Sequence, residues 1–211
     1  MNFLEKRKIL LIVSGGIAAY KSLDLIRSLI KIQCEVKTIL TKGGSEFVTP
    51  LSIASLSKNK VYSDMYSVEN EAEMDHISLS RWADLILIAP ATSNIIAKMS
   101  QGISDDLATT VVQASNKSIF VCPAMNVRMW EHASNKQNLE KIKSYNYRII
   151  GPFNGEMACG EYGEGRMADI ECILKELDNF FKSKSSNKKY RAIVTAGPTQ
   201  EYIDPVRYIS N

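Results

Sequence analysis

Short, continuous apolar runs recur along this chain, each followed by a turn and then by apolar residues at helical spacing. The first run, Lys8-Ile9-Leu10-Leu11-Ile12-Val13, shows no alternation. Unbroken runs of this kind are strands covered on both faces, the signature of a parallel sheet. Ser14-Gly15-Gly16 is the turn, and residues 17–31 carry a helical period. Residues 34–40 form a second strand, closed by Thr41-Lys42-Gly43-Gly44, and the pattern predicts one helix over 45–57 with Pro50 in an early turn. The stretch 58–74 is poorly patterned and reads as a loop with one short strand. A third buried run, Ala83-Asp84-Leu85-Ile86-Leu87-Ile88-Ala89, is expected to end at Pro90. A helix to Lys98 and another over 106–114 follow. Ser118-Ile119-Phe120-Val121-Cys122 is a further strand that Pro123 ends, and a helix over 130–144 leads to a last strand at 147–150. Strands alternating with helices predict an α/β three-layer sandwich about a mainly parallel sheet, wound right-handed.

Beyond residue 150 the pattern changes. Residues 152–167 are glycine-rich and weakly apolar, long enough for a lid or flap. A helix over 170–181 closes the domain, and Lys182-Ser183-Lys184-Ser185-Ser186-Asn187-Lys188-Lys189 reads as a polar linker. Tyr190-Arg191-Ala192-Ile193-Val194-Thr195 is a new buried strand with a new turn at Ala196-Gly197-Pro198-Thr199, and no partner strand follows it before Asn211. The expected organisation is a domain over 1–181, a linker over 182–189, and the opening of a second domain over 190–211.

Composition narrows the function class. The 211 residues carry a formal charge of +3, part of it in the Lys cluster near 182–189, which argues against nucleic-acid binding as the main activity. Cys34, Cys122, Cys159 and Cys172 are spread without a Cys-x-x-Cys pair, and His76 and His132 are the only histidines. That supply does not suit a structural zinc site, and reduced thiols in the cytoplasm are the simplest expectation. No apolar run reaches transmembrane length and no signal peptide is expected.

The candidate chemistry sits at the predicted strand ends, where open α/β sheets bind ligands. Ser14-Gly15-Gly16-Ile17-Ala18-Ala19-Tyr20-Lys21 hands a strand to a helix, and its glycines let backbone approach a phosphate at a helix N-terminus. A bare tight turn fits the same residues, and neither a Gly-x-Gly-x-x-Gly nor a Walker pattern is present. Ala89-Pro90-Ala91-Thr92-Ser93-Asn94 repeats the arrangement with two hydroxyls and an amide, although helix capping alone accounts for Thr92 or Ser93. The two loops together favour a phosphorylated planar cofactor. In Pro123-Ala124-Met125-Asn126-Val127-Arg128-Met129-Trp130, Asn126 offers an amide to an anion, with Met125, Met129 and Trp130 as apolar wall. An ordinary loop with a satisfied Asn is the alternative. His76, before the run into Trp82, is either a general base or a packed residue. Cys159, among the glycines of 157–167, suits delivery of a proton or a nucleophile from a mobile lid.

In this order, Ser-Gly-Gly-Ile-Ala-Ala-Tyr-Lys, His-Ile-Ser-Leu, Ala-Pro-Ala-Thr-Ser-Asn, Pro-Ala-Met-Asn-x-x-Met-Trp and Ala-Cys-Gly-x-x-Gly-x-Gly-Arg-Met resemble the homo-oligomeric flavin-containing cysteine decarboxylases. Within them the likeness is to the phosphopantothenoylcysteine decarboxylases, over about residues 6–181. Residues 194–211 resemble the start of phosphopantothenate–cysteine ligases, with Gln200 where many relatives carry Arg, so the chain resembles the decarboxylase half of a bifunctional protein cut just inside the ligase.

The resemblance implies a Rossmann-like (flavodoxin-like) fold and an FMN-dependent lyase of coenzyme A biosynthesis that converts 4'-phosphopantothenoylcysteine to 4'-phosphopantetheine. It implies His76 as base, Asn126 as the carboxylate-binding residue and Cys159 as proton donor to the enethiol. Substrate contacts carried over are Asn126, Met129, Ala158, Gly160, Arg166 and Met167. FMN contacts are Gly15, Gly16, Ile17, Thr41, Thr92, Ser93, Asn94, Ile95 and Ala124. It further implies a homotrimer with flavin at subunit interfaces, assembled into larger forms, and no nucleic-acid or membrane partner. A peptidyl-cysteine decarboxylase and a non-catalytic regulatory flavoprotein are the alternatives. The ligase-like tail argues against the first, and the joint presence of His76, Asn126 and Cys159 against the second.

Overall fold

The computed structural model describes residues 3–63, 75–158, 160–186, 197 and 200–210. Strand β1 (Lys8–Val13) leads through a 3₁₀ turn, Ile17–Tyr20, into α1 (Lys21–Lys31), and β2 (Glu35–Leu40) follows. Next come α2 (Lys42–Ser45), α3 (Pro50–Ser57), β3 (Val61–Tyr62) and α4 (Asp75–Trp82). Strand β4 (Leu85–Ala91) precedes α5 (Ser93–Gln101) and α6 (Leu107–Gln113), and β5 (Ser118–Pro123) precedes α7 (Val127–Glu131) and α8 (Ala133–Ser144). After β6 (Arg148–Ile149), the strands β7 (Phe153–Glu156) and β8 (Tyr162–Arg166) lead to α9 (Ile170–Ser186), with β9 (Gln200–Tyr202) and β10 (Tyr208–Ser210) near the end.

Six strands form one sheet in the order β3-β2-β1-β4-β5-β6, every pair parallel. That is the doubly wound order in which the chain reverses direction between β1 and β4. The unbroken apolar runs find their reason here, because both faces are covered. Ile9, Leu11, Val13, Leu85, Leu87, Ala89, Phe120 and Cys122 point to one core with residues of α1, α3 and α9. Leu10, Ile12, Ile86, Ile88, Ile119 and Val121 point to the other, with residues of α4, α5, α6 and α8. Each fully buried Leu, Ile or Phe contributes about 1.5–3 kcal/mol over exposure.

Several expected boundaries shift. The helix predicted over 45–57 starts only at Pro50, which has no N–H for a helix interior and takes the first turn of α3, while the separate short α2 falls in the stretch read as a turn. Thr41 caps α2 by accepting from the Gly44 N–H (3.1 Å), and Thr49 caps α3 by accepting from the Ser52 N–H (3.1 Å). β4 does not stop at Pro90 but runs to Ala91, with an irregular register against β5 between Ile88 and Ala91 where proline has no donor to offer. The helix predicted over 130–144 also divides. Asn126 caps α7, and His132, in extended backbone, caps α8 by accepting at Nδ1 from the Ser134 N–H (3.2 Å). His76 lies inside the first turn of α4 rather than ahead of it. The flap is an antiparallel hairpin of β7 and β8, and α9 runs on to Ser186, into the stretch read as linker. The strand expected over 190–195 lies outside the described residues. Among the described residues no helix is long and apolar enough to cross a membrane.

Candidate active site

The carboxyl ends of β1, β2, β4 and β5 converge on one crevice at the point where the strand order reverses. Ser14, buried at the end of β1, ties two of the loops together: its hydroxyl donates to the Pro90 carbonyl (2.7 Å) and accepts from the Thr92 N–H (3.1 Å). The Ala124 N–H donates to the Ala91 carbonyl (3.0 Å), joining the β4 and β5 ends. The β2 loop closes in equally tightly, because a Cβ on Gly15 would lie 3.2 Å from the Gly43 carbonyl oxygen. Gly16 has φ +95°, a conformation a larger side chain would strain.

Thr92 caps α5 by accepting from the Ile95 N–H (3.4 Å), so Ser93 is half-buried and Asn94 exposed in the first turn. Ile17 is exposed at the rim, and Thr41 stands at the neighbouring loop. Gly15, Gly16, Ile17, Thr41, Thr92, Ser93, Asn94 and Ala124 therefore lie on convergent loops. Ile95 differs in role: its side chain is buried in the core under α5, leaving only its backbone for the site.

Asn126 follows β5. Its Oδ1 accepts from the Arg128 N–H (2.7 Å), which fixes the carboxamide with its NH₂ outward. Met129 is exposed on α7, one turn along. The hairpin folds over this loop at three places. The Met125 N–H donates to the Gly165 carbonyl (3.0 Å), Trp130 Nε1 to Glu164 (2.8 Å), and Asn126 Nδ2 to Glu161 (2.5 Å). The turn of this hairpin carries Ala158 and Gly160, the latter at φ +81°. Cys159, between them, lies outside the described residues.

One expectation needs correcting. Met167 is fully buried in the α9-side core, so its side chain packs rather than lines the crevice. His76 is not brought to Asn126: it faces a cavity of about 450 Å³ lined with Ile77, Ser80, Arg81, Ala114 and Asn116. Arg166 forks onto Asp169 (3.1 and 3.2 Å). Burial, then the nearby Arg166 guanidinium, holds the Lys21 ammonium below its ordinary pKa, with Asp169 acting in the opposite sense. Burial pushes the Cys122 thiol far up, so it is inert beneath the site.

Sequence reasoning missed Ser14, Gly43, Glu161 and Glu164. A signal existed for the last of these: Tyr162-Gly163-Glu164-Gly165-Arg166 alternates glycine with larger residues, a strand period whose glycine face is built to lie on backbone. A Cβ on Gly165 would overlap the Met125 backbone carbonyl, and one on Gly163 would lie 3.1 Å from the Val127 side chain.

Comparison with known proteins agrees with the motif resemblance. Residues 2–182 match the family described as Flavoprotein, and residues 187–211 match the DNA/pantothenate metabolism flavoprotein C-terminal domain. The coenzyme A biosynthesis bifunctional protein CoaBC of Haemophilus influenzae is 43% identical over 208 residues, which cover 99% of this chain and 52% of that protein. The chain thus spans about half the length of the curated relatives it matches. A PPC decarboxylase mutant complexed with pantothenoylaminoethenethiol has a TM-score of 0.75 at 31% identity, covering 84% of this chain and 100% of its own. The FMN binding protein AtHal3 has a TM-score of 0.73 at 32% identity, covering 85% of this chain and 98% of its own.

Proposed function

Because the chain belongs to the flavoprotein family, we propose that its crevice holds FMN and decarboxylates 4'-phosphopantothenoylcysteine to 4'-phosphopantetheine in cytoplasmic coenzyme A biosynthesis. The observation that carries the reading is the Asn126 carboxamide, locked with its NH₂ outward at the end of β5 under the hairpin that bears 158–160. The crevice residues fit the cofactor: the close Gly15–Gly43 approach and the positive φ of Gly16 leave bare backbone where a phosphate needs N–H donors. When bound, FMN supplies hydride abstraction from the sulfur-bearing carbon, which creates the electron sink for carbon dioxide loss, and hydride return afterwards.

The chain's own residues do the rest. Asn126 Nδ2 binds the substrate carboxylate and orients it, with Met129 as apolar wall. His76 takes the thiol proton during oxidation, and Cys159 protonates the enethiol from the flap. Ala158, Gly160 and Arg166 complete the substrate contacts. A homotrimer with sites between copies accounts for a His76 cavity that Asn126 does not line. The C-terminal match supports reading 190–211 as the opening of a ligase unit, reached through 182–189. The CoaBC relatives favour the phosphopantothenoyl substrate over a peptide.

The test pairs the wild type with Asn126→Asp. Both should take up FMN and show flavin absorbance, while only the wild type binds substrate, since the variant sets carboxylate against carboxylate. Folded wild type that takes up no FMN, or a variant that binds substrate normally, overturns the reading.

A further inference from the structure

The flap places a carboxylate of its own on the amide that this reading assigns to the substrate's carboxylate. The Arg128 N–H donates to Asn126 Oδ1 at 2.7 Å, which orients the carboxamide with its NH₂ on the opposite side. Glu161 Oε2 sits 2.5 Å from that nitrogen. We propose that Glu161 is a specificity-determining placeholder: it occupies the carboxylate seat until a substrate carboxylate displaces it. The inference rests on the Asn126 assignment made above.

The geometry supports displacement of the side chain without opening of the flap. Glu161 is exposed and lies just before β8, while its backbone carbonyl accepts from the Met157 N–H (2.8 Å). The hairpin is held separately by Met125 to Gly165 and by Trp130 to Glu164. A rotamer change at Glu161 therefore frees the seat and leaves the strand in register. Two carboxylates on one amide repel each other, so occupancy is exclusive. A ligand without a carboxylate gains nothing by evicting Glu161 and binds beside it. The substrate must displace Glu161 to take the seat and the product, having lost the group, need not, so the placeholder weakens substrate binding while leaving product binding unchanged.

The test uses the FMN-loaded chain. Removing an internal competitor raises the competent fraction, so Glu161→Ala should lower the substrate KM by roughly 3- to 10-fold. The inhibition constant of 4'-phosphopantetheine should stay within about twofold, because it never needed the seat. Glu161→Gln, an uncharged acceptor of the same length, should fall between. A change of the same size in substrate and product affinity, or a KM that is unchanged or raised, overturns the proposal and marks Glu161 as merely structural. A second readout needs no turnover: in ¹⁵N-labelled, ligand-free protein the Asn126 side-chain amide signals should shift in Glu161→Ala. No shift overturns the placeholder contact whatever the kinetics. If Glu161→Ala shows that shift but the FMN-loaded wild type never turns over this substrate, the decarboxylase reading falls, and the placeholder with it.

Discussion

Replacing Gly165 by Ala should uncouple the flap from the Asn126 loop while leaving the sheet intact. Gly165 is buried with φ +150°, and its backbone carbonyl accepts from the Met125 N–H at 3.0 Å. A Cβ there would overlap the Met125 carbonyl oxygen outright and meet Met157 Cε at 3.0 Å. The methionine end can turn aside, but the carbonyl belongs to the backbone leaving β5 and cannot. The hairpin must then retreat by about an ångström before ordinary contact is restored. That loses one backbone hydrogen bond, about 1 kcal/mol, and otherwise stores overpacking of roughly 1–3 kcal/mol. A closed flap destabilised by about 2–4 kcal/mol corresponds to a loss of roughly 30- to 1,000-fold in kcat/KM if closure is needed for the chemistry. Since the hairpin can lift locally, the thermal midpoint should fall by less than the full strain implies. The assay is kcat/KM for phosphopantothenoylcysteine together with hydrogen exchange over 153–166, with Gly160→Ala as comparator. Among the described residues no atom outside its chain neighbours lies within 4 Å of a Cβ at Gly160, so in the exchange readout that variant isolates the strain of φ +81° from a steric clash. Wild-type kcat/KM and wild-type exchange in Gly165→Ala would refute the reasoning.

Further consequences can be measured separately. Cys159→Ser should release carbon dioxide and stall before protonation, and normal accumulation of phosphopantetheine would exclude Cys159 as proton donor. Asp106→Ala removes the α6 cap on the Thr109 N–H (2.8 Å) and one of two carboxylates on Lys98, and should cost about 1–2 kcal/mol in urea unfolding. Burial raises the Asp106 pKa, but the Thr109 amide and hydroxyl and Lys98 outweigh it and hold the group below its ordinary value. Its contribution is therefore present above the unfolded pKa near ~3.9 and lost as pH falls through the lower folded value. The gap between wild type and variant should narrow on acidification, and a gap that widens would reverse the sign. Burial pushes the Cys34 thiol up to about 11, so iodoacetamide at neutral pH should leave Cys34 unmodified until the protein unfolds. Labelling of Cys34 in the native state would contradict its buried position.

The centre of the sheet was legible because its strands are unbroken apolar runs: β1 after Lys8, β4 throughout and β5 after Ser118 each declare a doubly covered position without help from their neighbours. The strand ends carrying Gly15, Thr92 and Asn126 were equally legible, since glycine, hydroxyl and amide side chains there follow directly on apolar runs. Helix breaks were harder. Pro50 and His132 each begin a helix, but only the capping geometry of Thr49 and His132 shows that the chain restarts rather than bends. Met167 and Ile95 sit within site motifs yet point into the core, a distinction fixed by packing rather than by adjacency in sequence. The glycine alternation over 162–166 signalled the strand that carries Glu164, but the partners of Glu161 and Glu164 lie 35 and 34 positions away and only the fold identifies them.

The most direct measurement is anaerobic incubation of the FMN-loaded chain with phosphopantothenoylcysteine, followed by mass detection of products. The account predicts a product lighter by carbon dioxide, with flavin oxidised at the end as at the start, because the hydride taken is returned. Substrate recovered unchanged from folded, FMN-loaded protein would contradict it.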